Sequence, residues 1–358
     1  MSNLVDSVLN QLRSSTNDQY FDSIASDDVE QLFGRNINLS VRTDSGKYFV
    51  KKLRFSNYAE KLENSRAYEA LFHRGDFPEI PRCPRTSKFD SDHGLMVQDL
   101  LTDAEDGITL MTEQRFRPAD AHTIGRQLSA LHSVPVSEVP QINEGSPAPN
   151  LTYLDEIPLD ALVHMTNGEI NAYGLIQRDA ELVAALSQLS AESHEADWAP
   201  IHGDLRVDQV LIDQSGPWII DWEEFGQGDP ARDTGSFIGE WIYRAVLDIP
   251  TSRGGGTSLG DTEISAGEIV RRGHEKAASL AHTISAFWSG YESIRTVDND
   301  FVKRTGGFAG WHLLDRLFAG AQSSATLSPI QRAAAGVGRA ALLNPLGVFA
   351  LAGIEVTK

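Results

Sequence analysis

The sequence has a single cysteine, no long apolar run and few basic residues. Cys83 is the one cysteine in 358 residues, which excludes an internal disulfide and a cysteine-based zinc site. No uninterrupted apolar run of about 18 residues occurs, so no membrane-spanning helix is predicted. The N-terminal segment MSNLVDSVLNQLRSSTNDQY lacks the basic start and apolar centre of a signal peptide. These absences favour a cytoplasmic protein.

The shortage of basic residues limits the class of partner. The chain has 31 Lys and Arg against 50 Asp and Glu, a net charge of −19. This argues against nonspecific nucleic-acid binding, which needs cations to neutralise phosphates. Acid-lined clefts concentrate positive ligands, so the balance suits a cationic substrate, although it also serves solubility. A hydrophobic content of 41% and the length predict a globular protein of two lobes or domains.

The first hundred residues predict a small β-rich lobe with one central helix. Residues 5–32 have the composition of one or two short polar helices. Apolar runs at 36–43 and 47–54 flank the turn tripeptide DSG, which is a hairpin signal. Residues 57–73 have helical spacing, and 94–101 resemble a buried strand. We therefore expect an N-terminal lobe over residues 1–101.

The remaining residues, 102–358, predict a larger and mostly helical lobe, so the fold class is α+β. Helix-like patterns cover 118–135, 170–190, 230–249, 266–295, 307–325 and 328–352. The Gly- and Ser-rich segment 250–263 predicts a mobile surface loop. No strand precedes its three glycines and no lysine follows them, so we do not interpret it as a phosphate-binding loop.

Residues 201–224, IHGDLRVDQVLIDQSGPWIIDWEE, carry the clearest chemical signal. The pattern QVLI, DQSG, PWIIDW predicts a short hairpin that brings Asp204, Gln209 and Asp221 to one end of a small sheet. A carboxylate near an acceptor hydroxyl receives its proton. Hard oxygen ligands hold Mg²⁺ together with phosphates and water. These are the parts of a phosphoryl-transfer site.

The order and spacing of these motifs resemble the aminoglycoside phosphotransferase/choline kinase family. That family has HGD, four residues, Asn, and then I-D-W/F-E, which compares here with residues 202–204, Gln209 and residues 220–223. The segments IGRQLSALHSVP (124–135) and GDPARD (228–233) resemble two further family motifs. The similarity extends from about residue 33 to the C-terminal helices.

The resemblance implies a two-lobed protein-kinase-like fold and the use of ATP and Mg²⁺. Asp204 would be the catalytic base or the acid that orients the substrate hydroxyl, while Gln209 and Asp221 would bind metal. His202 and Asp233 would support the catalytic loop. Gln209 occupies the position of the usual Asn. It has the same side-chain amide oxygen, but its side chain is one methylene longer.

Within the N-terminal lobe, the resemblance assigns phosphate binding to a lysine. Lys51 follows YFV directly and is preferred over Lys52, since strand neighbours face opposite sides. An acid on helix 57–73 would orient this lysine, with Glu63 preferred and Glu69 second.

Nucleotide contacts by the backbone are also implied. The segment 33–40 holds a single glycine, so backbone amides near Ser40 would contact phosphate without a glycine-rich loop. Residues 95–101 occupy the hinge position, where adenine would bond to the backbone from Gln98 to Leu100.

Two helices supply candidates for contact with the acceptor. From EWIYRAVLD (240–248) and GWHLLDRLF (310–318), the candidates are Glu240, Tyr243, Arg244 and Asp315. Arg316 is a further candidate, for which a structural role that ties the helices together is preferred over contact with the acceptor. His132 is interpreted as a core histidine with satisfied hydrogen bonds, and Asp208 as an additional acid or a solvated side chain.

The acceptor has two interpretations. HGDLRVDQVLI, DWEEFGQGDPARDTGSFIGEW and FAGWHLLDRL are similar to kinase-like subunits of class V lanthipeptide synthetases. That similarity implies phosphorylation of Ser or Thr in a ribosomally made precursor peptide, with a separate lyase or cyclase as partner. The alternative acceptor is a small hydroxylated molecule, such as an aminoglycoside, another antibiotic or an amino alcohol. A third hypothesis, motivated by Gln209, is a pseudokinase that only binds nucleotide or peptide.

Overall fold

The computed structural model describes residues 3–15, 24, 26–32, 34, 36–54, 56–139, 149, 151–253 and 266–355. Most of the predicted surface loop 250–263 therefore lies outside the described residues. Within these ranges, no helix combines the length and the apolar character needed to cross a membrane.

The N-terminal part contains a five-stranded antiparallel sheet in the order β1-β2-β3-β5-β4. The strands are β1 (Val29–Leu32), β2 (Ile37–Thr43), β3 (Gly46–Lys52), β4 (Thr86–Asp90) and β5 (Leu95–Asp99). The predicted hairpin and buried strand are confirmed. Residues 29–32 were expected in a helical lead-in and instead form an edge strand, because pairing with β2 supplies hydrogen bonds that no local pattern reveals.

Each face of this sheet packs against one helix. Alternate residues such as Leu39, Val50 and Val97 form an apolar face that packs on α1 (Asn3–Ser15). The opposite face carries Lys51 and Met96, which are direct cross-strand neighbours. Helix α2 (Tyr58–His73) packs on this second face, through a cluster that contains Leu62 and Met96. The strand alternation therefore turns Lys51 away from α1 and toward the rest of the protein.

Nearly all other helices follow the sheet and surround one large apolar core. They are α3 (Gly107–Thr112), α4 (Pro118–Leu131), α5 (Leu159–Leu162), α6 (Asn167–Gln177), α7 (Ala180–His194), α8 (Ala231–Asp248), α9 (Ala266–Glu292), α10 (Asn299–Ala321), α11 (Pro329–Leu343) and α12 (Leu346–Leu351). The architecture is thus α+β, with a small antiparallel sheet and a mostly helical remainder. The lobe boundary at residues 101 and 102 stays a prediction.

Two of the predicted helices are divided in the structure. The segment 170–190, predicted as one helix, contains parts of two: α6 ends at Gln177 and α7 begins at Ala180. Asp179 caps the start of α7, because its side chain accepts a hydrogen bond from the Leu182 N–H (3.1 Å). Pro345 separates α11 from α12, since proline cannot continue the helical hydrogen bonding.

Short strands position the residues between α7 and α8. Strand β7 (Ala199–Ile201) pairs with β10 (Gly226–Gly228), and β8 (Val210–Asp213) pairs with β9 (Gly216–Ile219) and β6 (Glu105–Asp106). The β8–β9 hairpin confirms the predicted strand-turn-strand pattern. It brings the end of β9 back beside the start of β8, because the Ile220 N–H donates to the Gln209 carbonyl oxygen (2.9 Å).

Candidate active site

The loop after β7 is held by a buried carboxylate. Asp233, in the first turn of α8, accepts hydrogen bonds from the backbone N–H groups of His202 (2.6 Å) and Gly203 (2.9 Å). Burial raises the pKa of Asp233, but the hydrogen bond from His132 and the nearby His202 outweigh this and hold its pKa below the ordinary value. An ionised Asp233 therefore anchors the segment that ends at Asp204.

Gly203 allows this loop to pass close to the segment after β9. Its φ of +84° lies in the left-handed region, and an added Cβ would be 2.5 Å from the Glu224 carbonyl oxygen. A side chain would meet backbone there and not a flexible group, so the glycine of the HGD motif is required sterically.

Asp204 projects from this loop into open space. Its side chain is 45% exposed and lies 3.4 Å from an Arg206 guanidinium nitrogen. The Gln209 Nε2 donates to its Oδ2 at 3.3 Å. A partly exposed carboxylate that is oriented by an amide has the geometry needed to accept a proton from a bound hydroxyl.

Gln209 is buried and folds back on its own loop. Its Oε1 accepts a hydrogen bond from the Arg206 backbone N–H (3.1 Å), while its Nε2 faces Asp204. The additional methylene gives the amide the reach to bond both groups. The structure therefore explains Gln209 as an organiser of the catalytic loop, and its role as a metal ligand stays a prediction.

Asp221 follows β9 in a strained backbone conformation. Its φ of +67° is unusual for a residue other than glycine. Such strain persists only where the surroundings impose it, and it is concentrated at functional sites. Here it turns the carboxylate toward the N-terminal sheet, where the Asp221 Oδ1 accepts a hydrogen bond from Lys51 Nζ.

Lys51 is buried between two carboxylates of this segment. Its Nζ also donates to the Glu223 Oε2 at 2.6 Å. Burial lowers the pKa of Lys51, but Asp221 and Glu223 outweigh it and raise the pKa above the ordinary value. Burial raises the pKa of Asp221, but the charge and hydrogen bond of Lys51 outweigh burial and hold this pKa below its ordinary value. A charged lysine thus connects the sheet to the predicted metal-binding segment. The Lys52 Nζ instead donates to the His93 carbonyl oxygen.

The glutamate predicted to hold Lys51 is not on α2. The Glu63 side chain is 56% exposed and contacts Arg66 and Ser91. The Glu69 Oε1 accepts from the Thr86 N–H (2.8 Å). In the part of the chain that the structure describes, neither acid pairs with Lys51. The prediction of Glu63, and of Glu69 as second choice, is therefore wrong.

Helix α2 contributes a lysine in place of that acid. The buried Lys61 Nζ donates to the Glu224 Oε1 and lies 3.5 Å from the Glu223 Oε1. The Asn64 side chain donates to the Glu223 carbonyl oxygen (2.9 Å). Glu223 therefore takes the position of the predicted acid, and Lys61 holds it from the other side. Two features of the sequence pointed to this pairing. Glu223 and Glu224 are adjacent acids, and Lys61 lies on the same helical face as Tyr68.

We expect Lys61→Gln to weaken nucleotide binding by about tenfold, because Glu223 would lose one of the cations that orient it toward Lys51. The KM for ATP should rise more than kcat falls, and Lys61→Arg should restore most of the loss. Lys52→Gln is the matched control on the sheet and should change neither parameter. An unchanged KM in Lys61→Gln would contradict the positioning role.

Two of the residues predicted to contact nucleotide, Ser40 and Leu100, border a cavity of about 330 Å³. Ser40 lines it from β2, and Leu100, Leu101 and Thr102 line it beyond β5. The Leu100 N–H already donates to the Lys47 carbonyl oxygen (3.1 Å). The Leu100 N–H is thus already used in a hydrogen bond to β3, and contact of adenine with this residue stays a prediction.

Ser40 and Gln98 have partners within the sheet. Ser40 pairs with Glu30 on one side and Phe49 on the other, so its backbone belongs to the ladder. The Gln98 Nε2 donates to the Thr86 Oγ1 at 3.1 Å. Their contacts with phosphate and adenine also stay predictions.

Helices α8 and α10 bring most of the acceptor candidates together. A Cβ on Gly239 would lie 2.7 Å from the His312 Cβ, so these helices approach closely at this glycine. The neighbouring Glu240 accepts a hydrogen bond from the His312 Nε2 (2.7 Å). Arg316 donates to the Asp315 Oδ2 at 2.8 Å. His312 was not among the candidates, although it lies four residues before Arg316 on one helical face.

The electrostatic environment connects this helix pair to the catalytic loop. Burial raises the pKa of Tyr243, Arg316 lowers it, and Glu240 raises it, with a net increase. Burial also raises the pKa of Asp208, which Glu240 and Asp204 raise further. The charges of Glu240 and Arg316 therefore act both on Tyr243 of α8 and on Asp208 of the catalytic loop.

Arg244 does not share this environment. Its guanidinium donates to both carboxylate oxygens of Asp248, one turn later on α8, and approaches the Thr112 Oγ1 (3.5 Å). The prediction that Arg244 contacts the acceptor is not supported, because the i, i+4 pair holds the side chain against α3.

His132 is a core histidine, as predicted. Its Nδ1 is 2.9 Å from the Tyr291 hydroxyl and its Nε2 is 3.2 Å from the Asp233 Oδ2. Burial lowers the pKa of His132, and the hydrogen bond to Asp233 offsets this only in part. The imidazole is therefore neutral at pH 7 and donates from Nε2 to the carboxylate that anchors the catalytic loop.

This burial predicts a pH dependence of stability. Below about pH 6.5 the unfolded chain protonates His132 while the folded chain does not, so the free energy of unfolding should fall as pH decreases. The slope from this group is at most about 1.4 kcal/mol per pH unit. Urea unfolding between about pH 7 and pH 5 measures it. His132→Gln should show a shallower slope, and an equal slope in both proteins would contradict the assignment.

The donor set beside Asp221 fits a divalent cation that keeps most of its own ligands. No group of three or more His, Cys, Asp or Glu among the described residues is arranged to hold a metal by itself. The Asp221 side chain is partly exposed, and its Oδ1 is paired with Lys51. Mg²⁺ commonly takes one or two carboxylates together with phosphates and water, which this site can supply.

The comparisons with known proteins agree with this geometry. A model of the phosphotransferase enzyme family matches residues 31–262. No curated protein sequence matches the chain at a significant level. Among solved structures, a choline kinase LicA from Streptococcus pneumoniae is 18% identical, with a TM-score of 0.51 over 95% of this chain and 99% of that chain.

Two further structures are similar over nearly the full length. A microcompartment-associated aminopropanol kinase is 16% identical, with a TM-score of 0.56 over 98% of this chain and 100% of that chain. An amicoumacin kinase hAmiN is 14% identical, with a TM-score of 0.52 over 94% of this chain and 96% of that chain. At these identities the likeness shows a shared kinase-like fold.

The family match spans β2, β3, α2, the HGD loop, Asp221 and Asp233. It covers well over half of the chain and contains every residue placed at the junction of the sheet with the helical part. The chain therefore belongs to the phosphotransferase enzyme family and is a phosphotransferase that acts on hydroxyl groups.

Proposed function

We propose that this protein is an ATP- and Mg²⁺-dependent kinase that phosphorylates a hydroxyl group facing Asp204. The observation that carries the proposal is the junction at Lys51, whose Nζ bonds both Asp221 and Glu223. A buried lysine from the sheet and a strained aspartate from the helical part thereby meet at one point. This is the arrangement required to hold a nucleotide tail beside an acceptor.

The proposed roles follow from the contacts. Lys51 would bind the phosphates of ATP, retained by Glu223 once Asp221 turns to a metal ion. Asp221, and as a prediction Gln209, would hold that metal, which supplies charge neutralisation on the phosphates when bound. An amicoumacin kinase of the same fold was crystallised with AMP-PNP and Ca²⁺, which supports the use of a nucleotide and a divalent cation.

The transfer step is a single displacement. The acceptor oxygen forms a bond to the terminal phosphorus of ATP, and the bond from that phosphorus to the β–γ bridging oxygen breaks, which releases ADP. The hydroxyl proton passes to the Asp204 carboxylate. His202, Gly203 and Asp233 keep Asp204 in place through the buried hydrogen bonds of the loop.

The acceptor we propose is Ser or Thr of a ribosomally made precursor peptide. The support is the similarity of three segments to class V lanthipeptide synthetase subunits. They contain the polar residues that we assign to the acceptor side: Arg206 and Asp208 in the first, Glu240 in the second, and Asp315 with Arg316 in the third. A lyase or cyclase partner and a cytoplasmic location are part of this proposal.

A small hydroxylated molecule is the second candidate acceptor. The choline kinase and the aminopropanol kinase share the fold over nearly the whole chain, and both act by name on small amino alcohols.

Mass spectrometry after incubation with ATP and Mg²⁺ separates the two candidates. One set of reactions contains the precursor peptide encoded beside this gene, and another contains choline, aminopropanol and a panel of aminoglycosides. A phosphate added to the peptide alone would support the first candidate, and a phosphate added to a small acceptor alone would support the second. Reactions with EDTA are the control, and no transfer to any acceptor would contradict the proposed function.

A further inference from the structure

The short helix α5 presents an apolar turn to solvent. Leu159 and Val163 are 75% and 68% exposed, the highest values for large apolar side chains in the part of the chain that the structure describes. The Val163 N–H donates to the Leu159 carbonyl oxygen (3.2 Å), so the two side chains lie one helical turn apart on the same face. Single exposed apolar residues are ordinary, whereas neighbouring ones form a patch that a partner can cover.

Three partly exposed aromatic rings form a row on the neighbouring helices. The ring centroids of Tyr153 and Tyr173 are 5.7 Å apart, and those of Tyr173 and Phe318 are 4.6 Å apart. Phe318 lies three residues after Asp315 on α10, so the row begins one helical turn from a predicted acceptor contact. Ile170, one turn before Tyr173 on α6 and 38% exposed, extends the row.

The apolar turn and the aromatic row are held at the same end of α10. The Thr166 Oγ1 donates a hydrogen bond to the Ala321 carbonyl oxygen (2.7 Å). Val163 is three residues before Thr166, so chain length alone keeps it within about 11 Å of this contact. Phe318 is three residues before Ala321, about 4.5 Å away along the helix axis. Both features therefore lie within one small region of the molecule.

The charge around this region has a single sign. Residues 127–177 contain six Asp or Glu and no Lys or Arg. Three of these acids, Asp155, Glu156 and Asp160, flank Leu159 in the chain, are exposed, and form no salt bridge with any residue that the structure describes. Unpaired carboxylates favour a positively charged partner and disfavour an acidic one. An apolar patch bordered by such acids fits a segment that is both apolar and basic.

We propose that Leu159 and Val163, together with Ile170 and the aromatic row, form a docking surface for a basic amphipathic segment of a peptide partner. In the proposed function, on which this inference rests, the partner is the precursor peptide, and the docked segment lies outside the phosphorylated Ser or Thr. The apolar residues of the segment cover the exposed side chains, and its Lys or Arg residues face the three unpaired acids.

Fluorescence anisotropy tests the surface without turnover. The probes are two labelled designed helices with Leu at helical spacing, one with Lys and the other with Glu at the remaining positions. The Lys helix should bind the wild type about tenfold more tightly than the Glu helix does. The double variant Leu159→Ser, Val163→Ser should bind the Lys helix about tenfold more weakly than the wild type. Leu351→Ser, at an exposed leucine of α12, is the matched control and should bind normally.

Two results would overturn the inference. One is equal affinity of the wild type and the folded double variant for the Lys helix. The other is a dimer of the wild type in sedimentation that the double variant dissociates, since a second copy of the chain would then be the occupant. Affinity for a fluorescent ADP analogue reports folding. If the double variant does not fold, Asp155→Asn combined with Asp160→Asn decides, because it should weaken the preference for Lys over Glu and leave the apolar side chains in place.

Kinetics separate this inference from the proposed function. With the precursor peptide as substrate, the double variant should raise KM about tenfold and leave kcat unchanged, because the docked segment does not react. Phosphate transfer to the peptide with the same KM in both proteins contradicts the docking surface alone. Binding of the Lys helix at this surface with no phosphate transfer to any acceptor contradicts the kinase function alone.

Discussion

Asp204→Asn is expected to lower kcat by about 10²–10⁴, the usual contribution of a positioned general base. Asparagine preserves the size of the side chain and its contact with Gln209, but it does not accept a proton from the acceptor hydroxyl. Because Asp204 is partly exposed and lies outside the buried bonds of Asp233, the variant should fold and bind nucleotide normally.

The measurement is single-turnover phosphate transfer together with titration of a fluorescent ADP analogue. Asp300→Asn, which changes an exposed aspartate at the start of α10, is the matched control and should retain full activity. A kcat within about threefold of the wild type would show that Asp204 is not the base.

Asp221→Asn is expected to abolish most metal-dependent turnover, with a loss on the order of 10² to 10³ in kcat. The variant removes the carboxylate that would hold the cation, and it also leaves Lys51 paired only with Glu223. The affinity for nucleotide should then depend little on Mg²⁺, whereas that of the wild type should rise when Mg²⁺ is added.

Titrations of the ADP analogue with and without Mg²⁺ provide the test. Glu63→Gln is a suitable control, since Glu63 was the predicted partner of Lys51 but is exposed in the structure. A Mg²⁺ response in Asp221→Asn equal to that of the wild type would contradict the assignment and would favour Gln209 or Glu223 as the metal ligand. Full turnover in this variant would show that Asp221 is not needed to bind the metal.

Local patterns predicted the elements around the site well. The β2–β3 hairpin, α2, the β8–β9 hairpin and the helix after GDPARD all occur where the sequence indicated. Each depends on short-range features, which are alternation, turn residues and helical spacing. Edge strand β1 was not predicted, because it is stabilised by pairing with β2 and residues 29–32 carry no local strand pattern.

The partner of Lys51 shows where local reasoning fails. Spacing on α2 favoured Glu63, but the rotation of the helix on the sheet turns Glu63 outward and Lys61 inward. The sequence contains both residues two positions apart, on different helical faces. Which face meets Glu223 is decided by the packing of Leu62 and Tyr68, and no motif encodes it.

The acceptor side was predicted in part for a similar reason. Glu240 and Asp315 were recognised as polar groups on apolar helices; Glu240 pairs with His312 and Asp315 with Arg316, and their contact with the acceptor stays a prediction. Arg244 has the same pattern but is bound to Asp248.

The sequence by itself determined the family resemblance, the α+β class and the identity of the chemical groups His202, Asp204 and Asp221. These depend on residue types at short spacing along the chain. The tertiary structure decided that Glu223 secures Lys51 and that Lys61 holds Glu223 from the other side. Such pairings join residues more than a hundred positions apart, and their geometry follows from the packing of whole helices against a sheet.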